Sequence, residues 1–299
     1  MSKTALVFGG QGSQYVGMGK TLYEKYPIVR DVFDIASSIT KRDLKKLCFE
    51  LSQKEINETI NSQICTFTYE MSMYKLFVEN KIKIDFTAGF SLGEYSALVA
   101  ASVLSMEEAF ELINVRARAM QNSVDEDLGC MLAINGLSSN KVFEICNIFG
   151  YNNSAISNYN SYNQTVVSIK KDIVLDFIKY VKKLNGQVIP LKVNRPFHHK
   201  MMKKAADTIH QDLKKTDFCS NKIPIYSNVT GDLFDIFDAP QLMYEQIYKP
   251  VQWVKIIENM LAKEVDLFYE ITPKKVISNF VDNVSNKTVK TIYLEDIIN

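Results

Sequence analysis

The stretch Ala88-Gly89-Phe90-Ser91-Leu92-Gly93-Glu94-Tyr95 carries Gly-x-Ser-x-Gly between a strand-like lead, Phe86-Thr87-Ala88, and a helix-forming run from Tyr95 to Ala101. A strand that enters a helix through so few residues needs glycine at the bend, and the serine is pushed into the open. The spacing therefore predicts a nucleophile elbow, with Ser91 as the nucleophile. The same turn leaves the Leu92 amide at a helix N-terminus, free to donate to an oxyanion. The competing reading, a chance Gly-x-Ser-x-Gly in a loop, lacks the strand-turn-helix context present here.

A second glycine-rich loop follows the first strand. Thr4 to Phe8 reads as a short buried strand that breaks into Gly9-Gly10-Gln11-Gly12-Ser13-Gln14. The dinucleotide fingerprint fails because its third glycine would fall at Tyr15. A phosphate loop ending in Gly19-Lys20-Thr21 would need a leading glycine at Gln14, and no Walker-type aspartate follows a strand downstream. The use left for the loop is to bring a backbone amide close to a ligand oxygen, as the second donor for a serine nucleophile.

Composition narrows the partners. A net charge of +1 gives no pull toward nucleic acid. No apolar run approaches the roughly 20 residues of a membrane span, and the N-terminus has no signal-peptide pattern, so a cytoplasmic protein is expected. Five scattered cysteines without Cys-x-x-Cys spacing argue against a disulfide framework and a zinc site, and read as buried thiols. At 299 residues, 46% of them hydrophobic, the chain can bury one substantial core or a core plus a smaller satellite domain.

Between Leu22 and Asn80 the apolar residues recur at helical spacing. Ser105 with Glu108 reads as a capping box opening a helix that carries Arg116 and Arg118. Those two point about 200° apart, so only one can enter a pocket. From Met131 to Val193 the pattern is strand, helix, strand, strand, helix, strand, the ferredoxin-like βαββαβ order. The C-terminal third returns to α/β alternation, with a strand expected over 223–229, a helix opening at 248–253 and another strand over 267–271.

A general base for Ser91 has few candidates, because the chain holds three histidines, His198, His199 and His210. His210 sits in a charged helical stretch and is expected to be exposed. His198 and His199 lie in the turn Asn194-Arg195-Pro196-Phe197-His198-His199, a placement suited to site residues. A metal site there is not expected, since adjacent side chains diverge and no acidic or cysteine cluster completes a ligand set.

Taken together, Phe8 to Gln14, Gly89 to Tyr95, Arg116 to Gln121 with Gly129 to Leu137, Asn158 to Ser168, Pro196 to His198, and Ser227 to Gly231 with Pro250 to Trp253 resemble, in order, the malonyl-CoA:acyl-carrier-protein transacylases and related polyketide-synthase acyltransferases. The match runs from about Leu6 to Val281. It implies a larger α/β-hydrolase-like domain with a parallel sheet over residues 1–127 and 197–299, and a ferredoxin-like subdomain over 128–196. It implies Ser91 as nucleophile, His198 as base oriented by the main-chain carbonyl of Gln246, and the amides of Gln11 and Leu92 as the oxyanion hole. Arg116 matches the arginine that pairs with the malonate carboxylate. Phe197 matches the bulky residue that disfavours branched acyl groups, and Gln63, Asn160 and Gln164 match polar positions around the site. No cofactor is implied; the partners would be malonyl-CoA and an acyl carrier protein, and the expected state is a monomer.

The chain departs from that pattern in places. Phe90 stands where histidine is usual, Gly9 where proline is usual, and His199 and Lys200 where small or apolar residues are common. Lys200, Lys203 and Lys204 could meet an acidic carrier protein or the phosphates of coenzyme A, or be a solvated helix face. Two other activities fit the fold: an acyl hydrolase using the same Ser91 and His198, against which Arg116 argues, and a non-catalytic scaffold, against which both reacting residues argue.

Overall fold

The computed structural model describes residues 2–125, 128–193 and 195–298. Met1, Asp127 and Asn299, three of the expected domain limits, and Asn194 of the histidine turn lie outside the described residues.

Five parallel strands form the central sheet: β1 (Lys3–Phe8), β2 (Phe86–Gly89), β7 (Ile225–Tyr226), β8 (Val265–Ile271) and β9 (Lys290–Tyr293), in the order β7-β2-β1-β8-β9. A parallel sheet covered on both faces needs apolar side chains in both directions, which is why β1 reads as a continuous apolar run. Its residues alternate as the pleat requires. Leu6 and Phe8 enter a core with Phe67, Tyr95 and Phe110, while Ala5 and Val7 enter one with Trp253, Ile256 and Phe268. Each large apolar side chain buried in this way contributes roughly 1.5–3 kcal/mol.

Register places the two glycine loops side by side. Phe8 pairs with Gly89, so the Gly9–Gln14 loop and the elbow leave neighbouring strands at the same C-terminal edge, where α/β sheets bind their ligands. The approach is close enough to require glycine: a Cβ on Gly93 would fall on the carbonyl oxygen of Gly9 and 2.7 Å from that of Phe8. Gly93→Ala is therefore expected to force the loops apart. It should lower the unfolding free energy by about 1–3 kcal/mol and slow acylation of Ser91, read by thermal melting and by single-turnover labelling.

The helix Thr59–Glu79 is buried along nearly its whole length behind this sheet, and the helix Met106–Asn122 packs beside it. Ser105 caps the latter with the capping box read in the sequence, its hydroxyl accepting from Glu108 N while the Glu108 carboxylate accepts from Ser105 N. That cap fixes where the helix begins, and hence the turn from which Arg116 projects.

The remaining strands, β3 (Gly129–Asn135), β4 (Ser154–Ser161), β5 (Gln164–Lys170) and β6 (Gln187–Pro190), form an antiparallel sheet in the order β4-β5-β3-β6. One face is covered by the helices Ser139–Phe149 and Val174–Lys183 through Leu132, Ile134, Val167 and Phe177. Met131, Ala133 and Val166, on the opposite face, join the core of the larger unit. The small sheet thus roofs the C-terminal edge of the large one.

Several expectations are corrected. The strand expected over 223–229 is confined to Ile225–Tyr226, because Asn228 leaves the sheet to bind the elbow. The helix expected to open at 248–253 begins at Trp253, since Val251 instead bridges to Asn158. The strand expected to end at Val193 ends at Pro190. Cys48, Cys65 and Cys146 are buried, but Cys130 is half-buried and Cys219 exposed. His210 is half-buried and stacks on Tyr244 with ring centroids 4.3 Å apart, so burial of one ring face replaces the expected exposure.

Candidate active site

Ser91 sits at the elbow with φ 53°, a left-handed conformation that costs a non-glycine residue of order 1–3 kcal/mol. Three hydrogen bonds hold it there. Ser91 N donates to Asn228 Oδ1 at 2.7 Å, Gln246 Nε2 donates to Ser91 O at 2.7 Å, and Phe90 N donates to Phe8 O at 2.9 Å. The strain points the Ser91 hydroxyl outward, 2.7 Å from His198 Nε2.

His198 also has a positive φ, 54°, and its ring is buried. Its Nδ1 lies 2.7 Å from the carbonyl oxygen of Gln246. A carbonyl only accepts, so the proton is on Nδ1 and Nε2 is left to accept from Ser91. Burial, and then the nearby charge of Arg116, lower the imidazole pKa to about 4. The ring is thus neutral at neutral pH and able to take a proton.

Arg116 is 1% exposed, whereas Arg118 faces solvent. Its Nη1 donates to Gln63 Oε1 at 2.6 Å, and Nη2 donates to Gln246 Oε1 at 2.9 Å and to Ser91 Oγ at 3.4 Å. Its guanidinium carbon lies 5.6 Å from the Tyr95 ring centroid, and its Nε has no partner among the described residues. A buried cation thus sits beside the Ser91 hydroxyl, with donor capacity left over for an anion.

Among the described residues, the amides of Gln11 and Leu92 donate to no protein acceptor. They come from the two glycine loops that the β1–β2 register brings together, an arrangement suited to stabilising negative charge on a bound oxygen. The cavity above Ser91 has a volume of about 600 Å³. Gln11, Phe90, Arg116, Phe197, Asn160 and Gln164 line it; Gln63, Leu92 and Gln246 are buried and do not line it, Gln63 and Gln246 reaching it through their bonds to Arg116. Asn160 Nδ2 donates to Gln164 Oε1 at 2.8 Å, leaving Asn160 Oδ1 buried without a partner among the described residues. The Phe197 carbonyl accepts from Ser168 Oγ at 2.5 Å, which ties the turn carrying His198 to β5. Phe90 packs edge-on against Trp253, centroids 5.4 Å apart, and near Phe280 at 6.0 Å, so this wall is apolar where a histidine would be polar.

His199 points the other way from His198, its Nδ1 accepting from Met201 N at 3.1 Å and its Nε2 3.3 Å from Tyr151 O. Lys203 is engaged with Asp207 at 3.3 Å and lies 4.1 Å from the Tyr244 ring centroid. Neither it, Lys200 nor Lys204 lines the cavity; Lys192 and Lys274 do. Among the described residues no group of three His, Cys, Asp or Glu side chains could hold a metal ion, and no helix is long and apolar enough to cross a membrane.

Two residues were missed at the sequence level, Glu94 and Asn228. Glu94 is buried and accepts from Asn228 N at 2.8 Å and from Gln246 Nε2 at 2.9 Å. Asn228 Nδ2 donates to Gly89 O at 2.6 Å. The available signal was a charged residue directly after the Gly-x-Ser-x-Gly, at the start of a helix otherwise built from apolar and small residues.

Residues 5–292 match the family model of the acyl transferase domain. The chain is similar to the malonyl CoA-acyl carrier protein transacylase of Bacillus subtilis, 36% identical over 99% of this chain and 94% of that one. It is also similar to that of Staphylococcus aureus, 33% identical over 97% and 94%. Among solved structures, the malonyl CoA-acyl carrier protein transacylase of Clostridium perfringens superposes with a TM-score of 0.91 at 32% identity, covering 97% of this chain and 93% of that one. A malonyl-transacylase in complex with its type II polyketide-synthase acyl-carrier protein superposes with a TM-score of 0.92 at 30% identity, covering 97% and 95%.

Proposed function

Since the chain belongs to the acyl transferase family, we propose that it moves a malonyl group from coenzyme A to the phosphopantetheine thiol of an acyl carrier protein, through an ester on Ser91. The observation that carries this reading is the position of Ser91 Oγ, 2.7 Å from His198 Nε2 and 3.4 Å from the buried Arg116 Nη2. A nucleophile between a base and a cation suits an acyl group that carries its own carboxylate.

In the first half-reaction Ser91 Oγ attacks the thioester carbonyl as His198 Nε2 takes its proton. The carbonyl oxygen becomes an oxyanion in reach of the Gln11 and Leu92 amides, each donor of that kind being worth about 3 kcal/mol in the transition state. Collapse breaks the carbon–sulfur bond; the coenzyme A thiolate leaves with the proton from His198. The carrier thiol then reverses the sequence, giving its proton to His198 and releasing Ser91. The Gln246 carbonyl holds the imidazole in one tautomer throughout and favours the imidazolium formed in each step.

Arg116 selects the acyl group in this reading. A neutral acetyl chain would leave its spare donors unpaired in a buried site, whereas malonate fills them. The same argument disfavours hydrolysis of uncharged acyl chains as the main activity. We further infer that the enzyme works without a bound cofactor, as a cytoplasmic monomer.

The test is incubation with malonyl-CoA followed by intact-mass measurement. A malonyl adduct that persists without carrier protein, disappears in Ser91→Ala and discharges onto a phosphopantetheinylated carrier protein is the expected result. Rapid release of free malonate without carrier would identify a hydrolase instead.

A further inference from the structure

The buried carboxylate of Glu94 has no part in the reaction just described, yet it lies at the junction of everything that positions the reacting groups. Its Oε2 accepts from Gln246 Nε2, which also donates to Ser91 O. Its Oε1 accepts from the amide of Asn228, whose side chain accepts from Ser91 N and donates to Gly89 O. Gln246 in turn receives Arg116 Nη2 on its side-chain oxygen and His198 Nδ1 on its main-chain oxygen. Nucleophile, base and cation are therefore all held by two residues that meet on one carboxylate.

We propose that Glu94 is a positioning residue whose ionised form sets the working orientation of the site. An ionised carboxylate can only accept, so the Gln246 amide must turn its NH₂ toward Glu94 and its oxygen toward Arg116. A protonated Glu94 offers a donor on one oxygen. Met on the Oε2 side, that donor would require Gln246 to reverse, which would aim its NH₂ at the guanidinium and remove the donor from Ser91 O. On the Oε1 side it would face the Asn228 amide that anchors the elbow. Either way the network that holds Ser91 loses a contact, directly at Ser91 O or at the Asn228 amide behind it.

The charged and titratable groups acting on Glu94 are Arg116 from the neighbouring helix and Tyr95 on its own helix; its other facing partners are the neutral amides of Gln246 and Asn228. Burial raises the Glu94 carboxyl to about 7, against the opposing pull of those amides and of Arg116. The working, ionised form is therefore present above about 7 and is lost as the pH falls through that value, well before His198, lowered to about 4, begins to protonate.

The inference rests on Ser91 as nucleophile and His198 as base, and not on the identity of the acyl group. Its test uses a fluorophosphonate, in which Ser91 Oγ displaces fluoride from phosphorus, alongside malonyl-CoA, from pH 5 to 9. The wild-type labelling rate is expected to fall about tenfold per pH unit below 7. NMR of the three histidines should show His198 still neutral over that range. Glu94→Gln, which places a donor against one of its two donor partners, should label at least about tenfold more slowly at pH 8 and lose the acid limb near 7. A wild-type rate that is flat down to pH 5.5, a limb that coincides with protonation of His198, or a folded Glu94→Gln with wild-type rate and profile would each overturn the proposal. The wild-type arms decide it even if the variant does not fold. Fluorophosphonate labelling that follows this pattern without any malonyl adduct would leave the Glu94 role standing and remove the malonyl reading.

Discussion

His198→Ala is expected to slow acylation of Ser91 by roughly 10²- to 10⁴-fold, the usual range for loss of a general base. Two steps suffer together. Without Nε2 at 2.7 Å the serine hydroxyl has no acceptor for its proton, and the departing thiolate has no donor. The deletion also leaves the Gln246 carbonyl oxygen unpaired in the interior, at a cost of about 1–3 kcal/mol in stability. The measurement is therefore single-turnover malonylation by quenched-flow mass spectrometry at a temperature where circular dichroism shows the variant folded. Because the proposal assigns the malonyl carboxylate to Arg116 and not to His198, the decrease should appear in the acylation rate constant and not in the concentration of malonyl-CoA that gives half of it. A decrease below about tenfold would mean that another group takes the proton.

Arg116→Ala is expected to reverse the choice of acyl group. For malonyl-CoA the variant loses a two-pronged charge-assisted contact, each of its two hydrogen bonds being worth about 1.5–3 kcal/mol, so self-malonylation should fall by at least about a hundredfold. For acetyl-CoA it removes a buried cation that the substrate cannot pair, and the rate should hold or rise. The ratio of the two rates is the informative quantity, because general damage to the site lowers both. Gln63 Oε1 and Gln246 Oε1 each lose their donor in this variant, so a lower melting temperature should accompany the change. Arg116→Lys is a sharper control: it keeps the charge but presents one ammonium to two glutamine oxygens and a carboxylate that the guanidinium fork serves together. Malonylation by the lysine variant should fall between wild type and alanine. Equal losses for malonyl- and acetyl-CoA in Arg116→Ala would remove Arg116 from substrate choice.

The legible part of this molecule was whatever depends on near neighbours. Strand, bend and helix at Phe86–Ala100 follow from glycine spacing and helix propensity, and the capping box at Ser105 from a hydroxyl and a carboxylate three residues apart. The strand and helix order of the small unit follows from hydrophobic period alone, and its sheet order β4-β5-β3-β6 is that of the ferredoxin-like arrangement. Where distant partners override near neighbours, the structure departs from the local pattern. Ile225 to Val229 has the composition of a strand, but Asn228 is drawn out of the sheet by three hydrogen bonds to Glu94, Ser91 and Gly89. His210 looks solvated within its charged helix, yet Tyr244 from another segment covers one face of it.

The serine at the bend, the glycines it needs and the small set of histidines able to serve it were determined by the sequence, because each is a matter of backbone conformation or of supply. Which arginine of Arg116 and Arg118 is buried, and what holds the elbow, was decided only when distant segments met. Gln246 is 155 residues from Ser91 and Asn228 is 137 residues from it, separations at which no periodicity carries information. Their convergence on Glu94 follows from the Phe8–Gly89 register, which brings both glycine loops to one edge of the sheet, and from the burial of Glu94 and Arg116. A buried charge without partners costs too much to persist, so the surrounding amides are obliged to turn toward these two. The orientation of Ser91, His198 and Arg116 is a consequence of that obligation.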